Sequence, residues 1–179
     1  MAMTFVFILA GCGASPSSIV IRNLADPNTD LEAMMEFQEK LIQCGADVAC
    51  AFTLYETLPP ITGPTAPVLD TGGFIIGSFY ATFDTGRAAE GAITWTMTIG
   101  GTAVPSESLI QGSGIVAFLG LDIPPTGDIV LTASTNVSGV PDRRITLNPV
   151  EPDFDFDMRE WIPRLPMGNL QRPSNSRRY

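Results

Sequence analysis

The clearest alternation of apolar and polar residues in the chain runs from Ile93 to Ile99. Its odd positions are Ile, Trp, Met and Ile, and its even positions are all threonine. Successive side chains of a strand point to opposite faces, so this period of two predicts a strand with one face in a core. The glycine pair Gly100-Gly101 that follows predicts a two-residue hairpin turn.

Further strands are predicted on both sides of this segment. Phe74–Phe83 has apolar residues at both odd and even positions, which predicts a strand buried on both faces. Strands that recur every roughly ten to twenty residues, with Gly and Pro turns between them, are typical of a sandwich or jelly roll. The other predicted strands are Ser18–Arg22, Gly114–Leu119, Asp128–Thr135 and Arg144–Val150.

A helical period appears between Leu31 and Ile42, where apolar residues recur at intervals of three and four. The preceding Thr29–Glu32 has the pattern of a capping box, and Cys44-Gly45 supplies a stop. Such a helix packs on the sheet of its own chain or serves as a short oligomerisation helix, and both interpretations stay open.

The apolar run Met3–Gly11 has two interpretations. Its β-favouring residues predict a buried strand, which we favour because the run is short for a secretion signal and lacks a positive start, and because the chain still begins with Met1. Alternatively, Leu9–Cys12 reads Leu-Ala-Gly-Cys, the spacing of a bacterial lipoprotein cleavage box, and Cys12 would be the lipidated mature terminus. The run is too short to span a bilayer.

The other two cysteines, Cys44 and Cys50, are spaced so that they can close a short loop by a disulfide in an oxidising compartment. Cys12 would then be the lipidated one. Alternatively, both are small buried residues without a bond between them.

Proline and glycine divide the chain into segments. Leu58–Leu69 contains four prolines and one glycine, which predicts an extended linker and excludes a helix or a central strand. The predicted fold class is mainly β, a single antiparallel β-sandwich or jelly roll with one short N-terminal helix and extended terminal arms. The predicted segments are an N-terminal strand-helix arm (1–57), a linker (58–72), the β domain (73–150) and an extended C-terminal arm (151–179).

Composition restricts the function. Nineteen acidic residues oppose ten basic ones, and the net charge of −9 argues against nucleic acid and anionic membranes as partners. Histidine is absent from the sequence, which removes the commonest general base and the Ser-His and Cys-His nucleophile pairs. Nucleotide and phosphate motifs are also absent. We therefore expect a non-enzymatic protein with no cofactor, no metal and no small-molecule substrate.

The C-terminal arm differs in charge from the rest of the chain. Pro163–Tyr179 contains four arginines and no acidic residue. Arginine and tryptophan are favoured at interface hot spots, so this arm is expected to contact a neighbouring subunit; a loose tail is the alternative. The candidate contact residues are Arg159, Trp161, Arg164, Arg172, Arg177 and Arg178.

Acidic residues alternate with phenylalanine near the start of this arm, at Asp153, Asp155 and Asp157. The segment lacks the glycine and the terminal glutamate of a calcium-binding loop, so we do not predict a metal site. These carboxylates are the only cluster that could serve a carboxylate-pair hydrolase. A carbohydrate-active β-sandwich is therefore the hypothesis that ranks last.

Short motifs between Gly73 and Val150 occur in a characteristic order. The motifs are a Gly-Phe strand at 73–80, a strand ending in Gly-Gly at 93–101, a Ser-Gly strand at 112–119, a Gly-Asp strand at 126–133 and a closing strand at 145–147. This order resembles the trimeric jelly rolls of the tumour-necrosis-factor and complement globular-head type. The resemblance implies a homotrimer on spikes, fibres, spores or capsids, without chemistry of its own. An immunoglobulin-like sandwich would have a similar periodicity.

Two functions follow from these patterns. The first is a structural or assembly protein, such as a virion capsid-associated, decoration or spike component, that forms homo-oligomers through its β domain and arms and contacts neighbouring structural proteins. The alternative is a lipid-anchored or secreted binding module of the bacterial envelope, attached through Cys12.

Overall fold

A computed structural model describes residues 14–122 and 127–151, and this part of the chain is mainly β. It contains one curled sheet and a pair of helices. The helices are α1 (Leu31–Cys44) and α2 (Val48–Thr57). The strands are β1 (Ile19–Asn23), β2 (Thr65–Asp70), β3 (Phe74–Phe83), β4 (Ile93–Ile99), β5 (Thr102–Ala103), β6 (Ile110–Gly112), β7 (Ile115–Asp122), β8 (Ile129–Thr135) and β9 (Arg143–Val150).

The described strands follow the order β5-β4-β8-β9-β2-β3-β7-β6, and β1 pairs with β3. Strand β3 is central to this arrangement because three strands pair with it. Its first half pairs with β2 through Ile75 and Ile76, and its second half, Phe79–Phe83, pairs with β1. Its other edge pairs with β7. As predicted, β3 is largely buried on both faces, and the side chains of Phe79 and Tyr80 are fully buried.

The sheet curls into a half-barrel in which β4, the strand next to the end strand β5, is joined by hydrogen bonds to β6 at the opposite end of the strand order. The backbone N–H of Trp95 in β4 donates to Oε1 of Gln111 in β6 at 3.1 Å. The indole Nε1 of Trp95 donates to the carbonyl of Gly114 at 3.1 Å, and the N–H of Ala81 in β3 donates to the same oxygen at 2.9 Å. We call Trp95, Gln111 and Gly114 the seam. They link strands that do not neighbour each other in the sheet.

The predicted strand at Ile93–Ile99 is confirmed as β4, and Ile93, Trp95 and Met97 are buried in the core. The predicted hairpin at Gly100-Gly101 is also present, because β4 and β5 pair on either side of it. The sheet is mixed rather than purely antiparallel, since β2 and β9 run parallel.

The expectation that Leu58–Leu69 excludes a central strand is wrong, because Thr65–Asp70 forms β2 between β9 and β3. Pro67 is tolerated there for a physical reason. It pairs with β9 on one side, whereas the pairing of β2 with β3 is confined to Leu69 and Asp70. Pro67 therefore does not need a second backbone partner, and Nδ2 of Asn23 donates to its carbonyl at 2.8 Å.

The helices also differ in part from the expectation. Helix α1 occupies the predicted range, but its N-cap, Asp30, makes no side-chain capping bond, so the predicted capping box does not form. A second helix, α2, was not predicted; its N-cap Asp47 accepts a hydrogen bond from the N–H of Cys50 at 3.1 Å. A short 3-10 helix lies at Ser106–Ser108, and no helix in the described ranges is long and apolar enough to cross a membrane.

Candidate interaction surface

The two helices form a hairpin, Leu31–Thr57, that is closed at its turn by a disulfide. The structure joins Cys44 at the end of α1 to Cys50 in the first turn of α2, with their Cα atoms 5.5 Å apart. Farther along the hairpin, the rings of Phe37 and Tyr55 lie 6.4 Å apart. The disulfide and the aromatic contact together fix the position of α1 on α2.

An aromatic cluster anchors this hairpin to the sheet. The rings of Phe52 and Tyr55 in α2 lie 5.4 Å and 5.7 Å from the ring of Tyr80 in β3. Glu56 accepts hydrogen bonds from the Tyr80 hydroxyl at 3.3 Å and from Nε of Arg87 at 3.2 Å. The Arg87 guanidinium also lies 4.7 Å from the centre of the Phe52 ring, a cation–π contact.

Burial raises the pKa of Tyr80, and the negative charge of Glu56 raises it further. Burial also raises the pKa of Tyr55. Both phenols are therefore protonated at neutral pH, and their rings act as packing surfaces. The cluster fixes the hairpin to β3, and its tyrosines are poorly suited to be proton-transfer groups.

Helix α1 packs against α2 and has no buried residue. Leu31, Met35 and Ile42 retain 52%, 63% and 73% of their accessible surface. Residues separated by four and seven positions lie on one face of a helix, so these three side chains share a face, with Gln38 between Met35 and Ile42. We call Leu31, Met35 and Ile42 the α1 stripe. An exposed apolar line on a helix held rigidly in place is typical of a contact surface.

Carboxylates surround the α1 stripe. Residues 30–47 include four acidic side chains in addition to Glu36, which pairs with the one basic residue, Lys40, at 2.7 Å. The hydrogen bond and the positive charge of Lys40 lower the pKa of Glu36. Asp30, Glu32, Glu39 and Asp47 make no ion pair among the described residues. The surface therefore combines apolar contact area with a negative field.

A separate groove of about 290 Å³ lies along the Pro-rich segment 58–67. The guanidinium of Arg143 holds this segment, because it donates to the carbonyls of Ile61, Thr62 and Gly63 at 3.3, 3.5 and 2.8 Å. Asp26 is the only ionisable side chain among the described residues that line the groove. The groove therefore lacks the paired groups that acid–base catalysis requires.

The segment that leads into β1 is held by Asp84. The Asp84 carboxylate accepts a hydrogen bond from the N–H of Ser17 at 3.0 Å and another from the Ser17 hydroxyl. These bonds lower the pKa of Asp84 to about 2. The N–H of Asp84 donates in turn to the carbonyl of Ser18 at 3.1 Å. These bonds fix Ser17, two residues before β1, to Asp84 at the end of β3.

Most of the candidate residues from the sequence lie outside the described residues. These are Cys12 with the run before it, the acidic residues Asp153, Asp155 and Asp157, and the six arm residues Arg159, Trp161, Arg164, Arg172, Arg177 and Arg178. Cys44 and Cys50 are described, and the structure brings them together. Sequence reasoning missed the α1 stripe, because the same apolar period equally predicts a helix buried against its own sheet.

Comparisons with known proteins do not assign the chain. Protein-family models, curated proteins and solved structures give no match to it. Among the described residues, no group of three or more His, Cys, Asp or Glu side chains is placed to hold a metal ion.

Replacing both Cys44 and Cys50 with serine is expected to lower the free energy of unfolding of the hairpin. Closing so short a loop removes unfolded-state entropy worth about 2 kcal/mol. The expected result is faster amide exchange in α1 and α2, with little change in the core strands. Serine at Cys12 is the control and should leave exchange unchanged. Equal protection of α1 with and without the disulfide would contradict this role.

Proposed function

We propose that this protein is a non-catalytic binding module of the bacterial envelope, anchored by a lipid on Cys12. The observation that carries the proposal is the pairing of the cysteines. The chain has three, and the structure joins Cys44 to Cys50. Structural disulfides persist in oxidising compartments, and the remaining cysteine is the last residue of the Leu-Ala-Gly-Cys box.

The position of Ser17 supports anchoring at this cysteine. Four residues separate Cys12 from Ser17, the first residue that Asp84 holds. Five backbone steps extend to at most about 17 Å, so a lipid on Cys12 would keep the domain close to the membrane surface. A short tether of this kind suits a module that presents a binding face to partners in the same compartment.

The binding face in this proposal is the helical hairpin. Its apolar line, Leu31, Met35 and Ile42, offers the contact area, and the carboxylates around it favour a partner with basic groups. An anionic lipid surface is disfavoured by the same carboxylates. We therefore expect a protein or peptide partner rather than nucleic acid, lipid or a small substrate.

Serine in place of Cys12 tests the anchor. When the full chain is produced in a bacterium that processes lipoproteins, the native chain is expected in the detergent phase of a phase-separation assay. The Cys12→Ser chain should move entirely to the aqueous phase, because a hydroxyl cannot take the thioether-linked lipid. As a control, serine at Cys44 and Cys50 should leave the native partitioning unchanged. Identical partitioning of the native and Cys12→Ser chains would argue against the anchor.

The second candidate is a structural component of a larger particle, such as a virion decoration or spike protein. The exposed α1 stripe favours it too, because assembly interfaces also cover apolar surface. This candidate function goes with the β-sandwich or jelly-roll architecture and with the trimer that the family resemblance implies. Native mass spectrometry separates the two functions. A stable trimer that retains Met1 supports the particle component, whereas a monomer that begins at Cys12 supports the anchored module.

A further inference from the structure

We propose that in the free chain the α1 stripe, which is the binding face proposed above, is covered by residues 159–179 of the chain's own C-terminal arm, and that a basic partner has to displace them. The inference starts from the surface itself. Leu31, Met35 and Ile42 are more than half exposed in the described fold, and a covering segment would remove their apolar surface from water. The disulfide links α1 to α2, and α2 is anchored on Tyr80, so the surface is already positioned for docking.

Charge identifies the arm as the occupant. The stripe lies among Glu32, Glu39 and the other carboxylates of α1. From Pro163 onward the arm contains four arginines and no acidic residue, whereas the chain as a whole has a net charge of −9. The arm is therefore the part of the chain with the opposite charge to α1. Its arginines can pair with the carboxylates at the edges of the stripe.

The arm also carries apolar side chains that the stripe could accept. Between Trp161 and Leu170 these are Trp161, Ile162, Leu165, Met167 and Leu170. Apolar groups flanked by arginines are the chemical complement of an apolar line flanked by carboxylates. A tail with only basic residues would pair with the carboxylates around the stripe but would leave the apolar side chains of the stripe exposed to water.

The arm is long enough to reach the stripe without a second molecule. Fourteen residues lead from Val150, the end of β9, to Arg164. They extend to about 46 Å, and a compact domain of this size has a radius of gyration of about 16 Å. A tethered segment reaches an effective concentration in the millimolar range, well above that of a free second copy. We therefore assign the arm to the stripe of its own chain.

The oxidation rate of Met35 measures whether the stripe is covered. Hydrogen peroxide is uncharged, so changes of protein charge do not alter its approach, and mass spectrometry locates each sulfoxide. In the full native chain, Met35 is expected to react slowly. Reversing the arm charge (Arg164, Arg172, Arg177 and Arg178 to Glu) should accelerate its oxidation roughly five- to tenfold, because the docked population falls.

A charge swap provides the matched control. Glu32→Lys with Glu39→Lys alone should also expose Met35, and combining these changes with the reversed arm should restore its protection. Met97 in the core, which is 1% exposed, reports whether each variant is folded. If a charge-reversed variant oxidises at Met97, it is not properly folded. In that case the four arm arginines are replaced with glutamine instead of glutamate.

Two results would overturn the proposal. The first is an equal Met35 rate in the native chain and the folded arm variants, which would leave the stripe open for another partner. The second is protection that increases with protein concentration, which would assign the stripe to the arm of a second copy. Neither result depends on Cys12, so the test is separate from that of the lipid anchor.

Discussion

Replacing Trp95 with alanine is expected to lower the free energy of unfolding by about 3–5 kcal/mol, because a large side chain is lost from the core. The side chain is 3% exposed and belongs to the hydrophobic core. Its removal leaves a cavity and also removes the indole hydrogen bond to Gly114. Chemical denaturation of the full chain measures the loss.

Two variants separate the causes of this effect. Trp95→Phe keeps most of the apolar volume and removes the indole N–H, so it should cost much less; the Gly114 carbonyl still accepts a hydrogen bond from the N–H of Ala81. Phe74→Ala removes a strand aromatic that is 45% exposed, and it should have only a small effect. If Trp95→Ala were as mild as Phe74→Ala, the seam would not hold the half-barrel together.

Alanine at Gly114 is expected to cost roughly 2–5 kcal/mol, since two penalties add. Gly114 has a φ of +81°, a left-handed conformation that residues with a Cβ adopt at a cost. The added Cβ would also lie 2.6 Å from the carbonyl oxygen of Ala81, which is backbone inside β3 and cannot move without disturbing the sheet. Thermal or chemical unfolding of the purified variant measures this cost.

Gly112→Ala is the matched control for this prediction. Gly112 is two residues away in β6, has no positive φ, and has no atom within 4 Å of the position of an added Cβ. We expect its free energy of unfolding to change by less than about 0.5 kcal/mol. Equal stability of the Gly112 and Gly114 variants would contradict the close approach of β3 to the seam.

Local periodicity accounts for what the sequence predicts well. The alternation at Ile93–Ile99 predicts β4 and its buried face, and the helical period predicts the range of α1. In both cases the pattern depends on neighbouring residues only. Local periodicity does not predict which surface a helix packs against. The apolar positions of α1 are the same whether the helix packs on a sheet, on α2 or on a docked arm.

Contacts between distant residues account for what the sequence does not predict. Strand β2 pairs with β9, which lies about eighty residues later in the sequence; Thr65, for example, pairs with Thr146. No local sequence pattern predicts this pairing. From the sequence alone, Pro67 argues against a central strand. The structure shows that the side chain of Asn23, far away in the sequence, donates to the Pro67 carbonyl. Helix α2 has apolar residues around much of its circumference, so it lacks the one-sided period that identifies α1.

The seam is another set of contacts between distant residues that the sequence does not predict. Gln111 is polar and exposed, and its sequence context gives no sign that its side chain serves as a backbone partner for Trp95, sixteen residues away. The stability of the half-barrel and the position of the hairpin both depend on β3, which contacts the seam through Ala81 and the hairpin through Tyr80. The proposed binding face is thus supported by a strand that is largely buried on both faces.

The intact mass of the chain isolated from bacterial membranes, denatured in the presence of the alkylating agent and without reduction, tests the anchored, disulfide-bonded form most directly. We predict one species that begins at an acylated Cys12, with no alkyl group on Cys44 or Cys50. A chain that retains Met1, carries no acyl group and has alkylated thiols would contradict both the lipid anchor and the oxidising compartment.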